Sequence, residues 1–339
     1  MYQSLGNARL KNQEEVEIGR ITCPDLEWAD RIESLLGHKE PLYLWQNSTV
    51  IRNHCGLGAY FYPLHHNGIP LASMMIVEHQ HVGFFGHVWT QPEHRRKGAA
   101  AILMKAVMQD FKDRHGQALF LSTDYDSAAY HIYQKQGFKN IEEKSGQMAW
   151  YAVDARNFYS RYFESRNVEI RDLQWCDWPA SGALFLGDFE PVIRSANMKN
   201  YGRYTTEESV LKLLHDEKKR ADAGHPPQAK VLSLAQTGAV AGLAHWQRHP
   251  GLDQTCVLDF FCHPEFDDFS EDLMRALVLP DGMETIAFVD RDDRIKADLL
   301  SGFGFKRELN PVRSVREYMD DFAAPKGIDS SLWVKHSAH

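Results

Sequence analysis

The sequence predicts an α/β (α+β) protein made of two tandem domains, and three observations support this prediction. The chain has 339 residues, which suits two domains of about 150 residues each better than one compact core. Strand-like and helix-like apolar patterns alternate along the first half, and the same order returns in the second half. Hydrophobic residues make up 43% of the chain and charged residues 25%, which is typical of a globular protein.

The first half begins with a predicted strand at 16–21 and a helix that starts at Pro24-Asp25, whereas 41–57 shows no clear period. Two further strands are joined by Asn67-Gly68, a strong hairpin-turn signal. The other predicted elements are strands at 59–64, 71–77, 82–90 and 118–122, a helix after Gly98, a helix at 126–136 and a strand pair within 138–153.

The second half repeats this order, and two short matches mark the repeat. Thr90-Gln91-Pro92-Glu93 corresponds to Cys262-His263-Pro264-Glu265 at an offset of 172 (264 − 92), and Gly137-Phe138 corresponds to Gly304-Phe305 at an offset of 167 (304 − 137). A nearly constant offset with the same element order predicts duplication of one unit. The predicted boundaries are a first domain at 1–155, a connector at 156–166, a second domain at 167–320 and a C-terminal tail at 321–339.

Charge and cysteine usage argue against several classes of protein. The net charge of −8 and the pI of about 6.1 disfavour a nucleic-acid binder, which needs a basic face. The five cysteines are scattered without a C-x-x-C pair, which favours a reducing compartment and no structural metal. Residues 1–20 are polar, and no segment reaches the ~18 apolar residues of a spanning helix. We therefore expect a cytoplasmic protein with no membrane partner.

The most specific stretch is a basic turn before a helix. Arg95, Arg96 and Lys97 precede Gly98, and Ala99, Ala100 and Ala101 follow it. Small residues allow a tight turn from strand into helix and leave the first helical amides open to a ligand. A helix N-terminus attracts anions, and three adjacent cations suit a polyanion such as a pyrophosphate. Taken alone, the motif also fits a solvated basic turn before an ordinary surface helix.

A second motif follows one strand later and runs from Asp126 to Phe138. Together the two motifs resemble those of the GNAT superfamily of N-acetyltransferases, which pairs R/Q-x-x-G-x-G/A with N-x-x-A-x-x-x-Y-x-x-x-G-F. The resemblance covers roughly residues 58–150, with Asp126 in place of the usual Asn and Ala100 in place of the commoner Gly. It implies a mixed, mostly antiparallel central sheet flanked by helices in each half. The matching residues are Arg95, Gly98 and Ala100 in the first motif and Ala129, Tyr133, Gly137 and Phe138 in the second.

The resemblance implies acetyl-CoA as cosubstrate, no metal, and a role for each matching segment. Residues 88–90 (Val88, Trp89 and Thr90) would pair their backbone with the pantetheine arm. The amides of residues 96–101 would hold the pyrophosphate beside Arg95, and the second motif places Asp126 and Ala129 next to the cofactor. Tyr133 would be the general acid that protonates the leaving thiolate. A core aromatic on an amphipathic helix is the alternative for Tyr133.

The motifs do not identify the general base. Acyl transfer requires a neutral amine, so a histidine or carboxylate has to take its proton. His87 is the first candidate, because two glycines in its strand indicate a bulge or close backbone approach that would turn it inward. A packed or surface histidine is the alternative, and Asp124 is a second candidate. His79 and His81 are explained by a polar hairpin turn rather than by metal ligation.

The second half lacks both motifs. Asp267-Asp268-Phe269-Ser270 stands at the position of 95–98, and Asp272 follows in the first helical turn. Carboxylates at this place would repel a pyrophosphate. Leu300 takes the position of Tyr133. The sequence therefore predicts a degenerate copy that serves packing, substrate shaping or pairing, and formation of a homodimer stays open.

The leading interpretation is transfer of an acetyl or other short acyl group from coenzyme A to a primary amine of a small molecule or peptide. The alternatives are a non-catalytic acyl-CoA-binding or sensor protein and chemistry of the same fold other than transfer to nitrogen. The acceptor is expected near residues 25–57 and the turn at 65–70, where aromatic residues suggest a wall, although core packing explains them equally well. These residues are Trp28, Trp45, Tyr60 and Tyr62.

Overall fold

The computed structural model of the protein describes residues 1–309 and 330–336, and the chain divides into two compact units. The first unit comprises Met1–Arg161 with Trp178–Gly182, and the second comprises Tyr162–Asp177 with the chain from Ala183 onwards.

The first unit is built on one sheet of eight strands. They are β1 (Tyr2–Arg9), β2 (Glu15–Thr22), β3 (Gly58–His66), β4 (Ile69–His79), β5 (Val82–Thr90), β6 (Ala118–Ser122), β7 (Lys139–Asn140) and β8 (Gln147–Tyr151). Their order is β1-β2-β3-β4-β5-β6-β8-β7, and only β5 and β6 are parallel neighbours. The predicted mixed, mostly antiparallel sheet is confirmed.

Helices accompany this sheet at the places where apolar residues recur with helical spacing. They are α1 (Leu26–Leu36), α2 (Pro41–Arg52), α3 (Ala99–Asp113), α4 (Ala128–Lys135) and α5 (Ala155–Tyr162). The side chain of Asp25 caps α1 by accepting the amides of Glu27 and Trp28, so the predicted helix start is confirmed. α3 packs on β3 and β4 through one apolar face, which includes Leu103, Val107 and Phe111.

The second unit repeats the arrangement. Its strands are β9 (Val168–Asp172), β10 (Ile193–Ser195), β11 (Asn200–Tyr201), β12 (Ala229–Leu234), β13 (Val240–Arg248), β14 (Thr255–Cys262), β15 (Glu284–Asp290), β16 (Lys306–Arg307) and β17 (Ser330–Lys335). The seven-stranded sheet has the order β16-β17-β15-β14-β13-β12-β9, with β14 and β15 parallel. Its helices are α6 (Asp177–Leu186), α7 (Glu207–Asp222), α8 (Ser270–Ala276) and α9 (Arg294–Gly302). Strands β9 and β12 to β15 therefore correspond to β2 and β3 to β6, as the repeat predicts.

Several elements differ from the sequence prediction. The predicted tail at 321–339 contains β17, which lies between β15 and β16 because Leu332 and Val334 are buried in the sheet. The rest of that tail, apart from His336, and residues 310–320 lie outside the described residues. The predicted connector at 156–166 is largely helix, because α5 occupies most of it.

Further elements were not predicted, among them β1, α2 and α6, which lack a clear apolar period. β1 is mostly exposed and is held by its pairing with β2. α2 buries the polar side chains of Gln46 and Asn47, which hides its apolar face from a pattern search. α6 has Cys176 at its N-cap position, and no side chain caps the helix. No helix in the described part of the chain is long and apolar enough to cross a membrane.

Candidate functional site

The candidate site begins where the parallel strands of the first unit separate. β5 pairs with β6 only over Val82–Phe84 and Ala118–Phe120. The second half of β5, from Phe85 to Thr90, continues along β4 without a partner in β6. The resulting gap leaves one backbone edge of this half-strand available to a ligand.

A bulge shapes the same half of β5. The β4–β5 register shifts between Ser73 and Met75, so that β5 has one extra residue there. His87 lies in this bulge with a φ of 51°, a left-handed conformation that is uncommon for a residue with a side chain. Gly83 marks a close approach, since an added Cβ would lie 1.9 Å from the carbonyl oxygen of Val77. The expected bulge and close approach are both confirmed.

The bulge turns His87 inward, where it is only 7% exposed. Its ring meets the Tyr43 ring edge to face at 5.3 Å between centroids, and neither ring nitrogen has a hydrogen-bond partner among the described residues. Burial, with a smaller contribution from the charge of Lys39, lowers the pKa of His87 to about 3. His87 is therefore a neutral imidazole that can accept a proton, although such a low pKa makes it a weak base.

The basic turn after β5 leads directly into α3. A short 3-10 helix, Pro92–His94, comes first, and Gly98 then adopts a φ of 90° as the N-cap of α3. No side chain caps the helix, and its first backbone bond runs from the amide of Ile102 to the carbonyl of Gly98 at 3.1 Å. The amides of residues 98–101 therefore precede the helical ladder and are suited to an anion.

Space is available in front of this turn. A Cβ added to Gly98 would meet nothing nearer than the side chain of Lys11, at 3.7 Å. Lys97 is tied to the same neighbourhood, because its carbonyl accepts the amide of Lys11 and its Nζ lies 3.8 Å from Glu14. Arg96 is exposed and has a φ of 62°. Of the three cations, Arg96 is therefore the most readily available to an incoming polyanion.

Arg95 is held against β5 instead. Its guanidinium lies 4.6 Å from the centroid of the Trp89 ring, and its Nε donates to the carbonyl of Thr90 at 3.1 Å. The His38 ring stacks on Trp89 at 3.6 Å. His38 and Tyr43 were missed by the sequence reasoning, although Pro41 is a typical first residue of a helix and was a local signal for α2.

The second motif forms the start of α4. The hydroxyl of Ser127 accepts the amide of Tyr130 at 3.1 Å and caps the helix. Asp126 precedes the cap with a φ of 59° and lies 3.0 Å from His131, with both side chains exposed. Asp124 is exposed as well. The caps and turns of this motif therefore explain why the chain changes direction between β6 and α4.

Tyr133 lies farther along α4 and is only 5% exposed. Its ring packs against Phe85 at 5.4 Å and against Phe138 at 6.2 Å between centroids, and Ala129 packs on the same apolar cluster. The ring is thus a core aromatic, as the alternative interpretation stated. Packing of the ring does not decide the role of its hydroxyl group.

Other candidate residues are explained by local structure. Gln80 and His81 both have positive φ, 49° and 69°, and form a two-residue hairpin turn after His79. Among the residues that the structure describes, no group of three His, Cys, Asp or Glu side chains could hold a metal ion.

Two of the proposed wall aromatics are core residues. Trp28 is buried and stacks on Tyr2 at 4.9 Å. Tyr62 is fully buried, and its hydroxyl donates to Asp110 at 2.7 Å. Neither side chain is therefore available to line an acceptor site.

The equivalent place in the second unit has a different construction. A 3-10 helix, Pro264–Phe269, runs straight into α8, whose first turn carries Glu271 and Asp272. The β13–β14 register is unbroken from Gly242–Cys262 to Arg248–Cys256, so the bulge is missing. Leu300 is fully buried at the position of Tyr133.

The splayed strands, the bulge and the uncapped helix N-terminus define the first unit as a mixed-sheet α/β domain with an anion-binding geometry. Residues 23–138 match the family model described as "Acetyltransferase (GNAT) family". No curated protein matches the chain.

Solved structures of GNAT proteins are similar to parts of the chain. A GNAT acetyltransferase from Staphylococcus aureus Mu50 is 13% identical with a TM-score of 0.32, over 37% of this chain and 87% of that one. The GNAT domain of S. lividans PAT is 10% identical with a TM-score of 0.33, over 43% and 96%. PaiA N-acetyltransferase from Thermoplasma acidophilum, in complex with coenzyme A, is 12% identical with a TM-score of 0.30, over 38% and 96%.

Proposed function

We propose that the first unit is an N-acyltransferase that transfers an acetyl group from acetyl-CoA to a primary amine of a small molecule or peptide. The observation that carries the proposal is the uncapped N-terminus of α3 behind Gly98 and the cations 95–97, within a segment of the GNAT family. Free amides, a positive dipole end and local cations together favour a pyrophosphate.

In this proposal coenzyme A lies along the second half of β5 and the start of α3. The amides of residues 98–101 and the Arg96 guanidinium would hold the pyrophosphate. The backbone of Val88, Trp89 and Thr90 would bind the amides of the pantetheine arm, because this half of β5 has no partner in β6. Bound acetyl-CoA supplies an activated acyl thioester.

The transfer requires one proton to leave the amine and one to reach the sulfur. The amine nitrogen attacks the thioester carbonyl carbon, so that a C–N bond forms and the C–S bond breaks. The hydroxyl of Tyr133 would donate a proton to the departing sulfur. His87, as a neutral imidazole acting directly or through a water, would take the proton of the nitrogen.

A second candidate function is acyl-CoA binding without turnover. The observation that favours it is the pKa of His87, which burial lowers to about 3 and which makes His87 a weak base. In that case the first unit would sense the acyl-CoA pool and would need neither Tyr133 nor an acceptor.

Calorimetric titration of acetyl-CoA distinguishes these possibilities. We expect one site per chain in the wild type and at least a ~100-fold weaker affinity in an Arg96→Glu, Gly98→Glu double variant, because carboxylates replace the anion site. Ser270→Glu, at the position equivalent to Gly98, is the matched control and should leave the affinity unchanged. No binding by the wild type would overturn the proposal, and two sites would overturn the degeneracy of the second unit.

Turnover is measured separately, as release of the free coenzyme A thiol in the presence of a panel of primary amines. Acylation of at least one amine, lost in the double variant, supports the transferase. Tight binding with no turnover across the panel supports the sensor function instead.

A further inference from the structure

The second unit has a cleft of its own where its parallel strands separate. β14 pairs with β15 only over Thr255–Leu258 and Glu284–Ala287, and beyond these residues the strands part. A cavity of about 690 Å³ lies at this place, between the ends of both strands, the start of α9 and the loop at 190–192. This volume is within the usual range for small-molecule sites.

The charges of the cleft differ from those of the first unit. Five carboxylates and three cations line it, together with apolar side chains. Burial, together with the charges of Asp293 and Asp268, raises the pKa of Asp267 to about 6. A cationic group of a ligand would relieve this repulsion, whereas a pyrophosphate would increase it. The charged residues are Glu190, Asp267, Asp290, Asp292, Asp293, Arg291, Arg294 and Lys296.

Lys296, in the wall of the cleft, favours an anionic group in the ligand, which is the opposite of what the carboxylates favour. The residue is only 3% exposed, and its Nζ makes no hydrogen bond with the part of the chain that the structure describes. Nζ lies 5.0 Å from the centroid of the Phe260 ring, and its charge acts on the Asp290 carboxylate of the same cleft without a hydrogen bond between them. A buried ammonium without a hydrogen-bonded anion is costly. Its presence in the cleft wall therefore points to an anionic group supplied by a ligand.

The two requirements together select the chemical class of the ligand. The excess of carboxylates disfavours a simple anion, and the buried ammonium of Lys296 disfavours a simple cation. Apolar residues, among them Phe260, Pro191 and Val192, also line the cleft and suit a hydrocarbon side chain.

We propose that this cleft binds a free α-amino acid with an apolar side chain. The ammonium of the ligand would lie at Asp267 and Asp293, its carboxylate at the Nζ of Lys296, and its side chain against Phe260. The site is independent of the function proposed for the first unit. It gives the degenerate copy a ligand of its own in place of coenzyme A.

The test uses the full chain and titrates L-leucine and L-phenylalanine by calorimetry and by thermal shift. We expect binding of at least one of them, and at least ~10-fold weaker binding of the matching amine without a carboxylate and of the N-acetylated amino acid. Equal binding of the decarboxylated amine would overturn the zwitterion assignment, and no binding at 10-millimolar concentrations, on the order of weak effector affinities, would overturn the site.

Variants locate the ligand. Lys296→Met keeps the length of the side chain and removes the charge, so it should fold with an unchanged or higher Tm but bind the amino acid at least ~10-fold more weakly. Lys306→Met, an exposed lysine of the same unit, is the matched control. Unchanged binding by Lys296→Met would place the ligand elsewhere and overturn the proposal. The Arg96→Glu, Gly98→Glu variant should bind the amino acid normally, which separates this site from the acetyl-CoA site.

Discussion

The two units build the same sheet but differ at one place, the gap where the parallel strand pair separates. In the first unit a bulge interrupts β5, and an uncapped helix begins behind Gly98 and three cations. In the second unit β14 is regular, and Asp267 and Asp268 replace the cations. The comparison shows that the sheet creates the gap in both units, while the residues at its rim differ in charge. We infer that these few residues set which ligand charge each gap accepts.

The largest effect is expected from a buried carboxylate that supports the first sheet. Asp110 accepts hydrogen bonds from Arg20 at 2.6 Å, Tyr62 at 2.7 Å and Arg114 Nε at 3.0 Å. Asp110→Ala leaves the guanidinium groups of Arg20 and Arg114 without this carboxylate. The variant should lower the free energy of unfolding of this unit by about 3 kcal/mol. Exchange of the backbone amide hydrogens of β3 and β4 should accelerate by an amount that corresponds to this loss of stability.

Asp259 is the buried carboxylate of β14 in the second unit, where it accepts the Ser195 hydroxyl at 2.9 Å and the Ala196 amide at 3.0 Å. Asp259→Ala should instead accelerate exchange in β14, and the reverse pattern would contradict the prediction.

The catalytic comparison depends on Tyr133, which Leu300 replaces in the second unit. Tyr133→Phe should lower kcat by about 100-fold, because the proposed general acid is lost, and should change the acetyl-CoA affinity less than about twofold. Tyr130→Phe is the control, since Tyr130 lies on the same helix as Tyr133. Its hydroxyl accepts hydrogen bonds from the side chains of Gln134 and Asn140, both at 2.9 Å. That variant should lose about 1 kcal/mol of stability and keep its kcat. Full activity of Tyr133→Phe would contradict the general-acid role and would show that Tyr133 serves only in packing.

His87 in the bulge of β5 should make the first unit sensitive to acid. Its pKa is about 3 in the folded protein and about 6.5 in the unfolded chain, so the unfolded state takes up the proton first as the pH falls below 6.5. Between pH 7 and pH 5 the wild type should therefore lose about 2 kcal/mol more stability than His87→Gln. Denaturant unfolding at both pH values measures the difference. Equal losses in the two proteins would mean that His87 is not held neutral.

The smallest effect concerns Asp267, at the position of Arg95. Its pKa of about 6 means that its charge destabilises the folded second unit above the unfolded value of about 3.8. Because Asp267 is partly exposed, Asp267→Asn should raise the stability by only about 1 kcal/mol at pH 7 and by almost nothing near pH 4. Asp292→Asn, an exposed carboxylate of the same cleft, should change neither value. A loss of stability in Asp267→Asn would show that its carboxylate has a compensating partner.

The elements that were predicted from the sequence have strong local signals. Asn67-Gly68 forms the predicted turn, with φ values of 49° and 79°, and α3 begins directly after Gly98. The missed elements lack such signals. β1 forms through its pairing with β2. β17 forms by inserting between β15 and β16, two strands that come earlier in the chain.

The candidate site divides in the same way. The motifs locate Gly98, the three cations and Tyr133, because each belongs to a short pattern with a fixed spacing. Tyr43 and His38 come from a segment without a clear period, and only the folded chain brings them to His87 and Trp89.

The sequence by itself determined the order of the elements, the duplication and the opposite charges of the two turns, because each of these properties is carried by neighbouring residues. Only the tertiary structure decided that His87 faces inward at a bulge and that Lys296 is buried in the wall of a cleft. Burial and strand register depend on residues that are distant in the chain. The pKa of a side chain and the charge that it requires of a ligand follow from these long-range contacts.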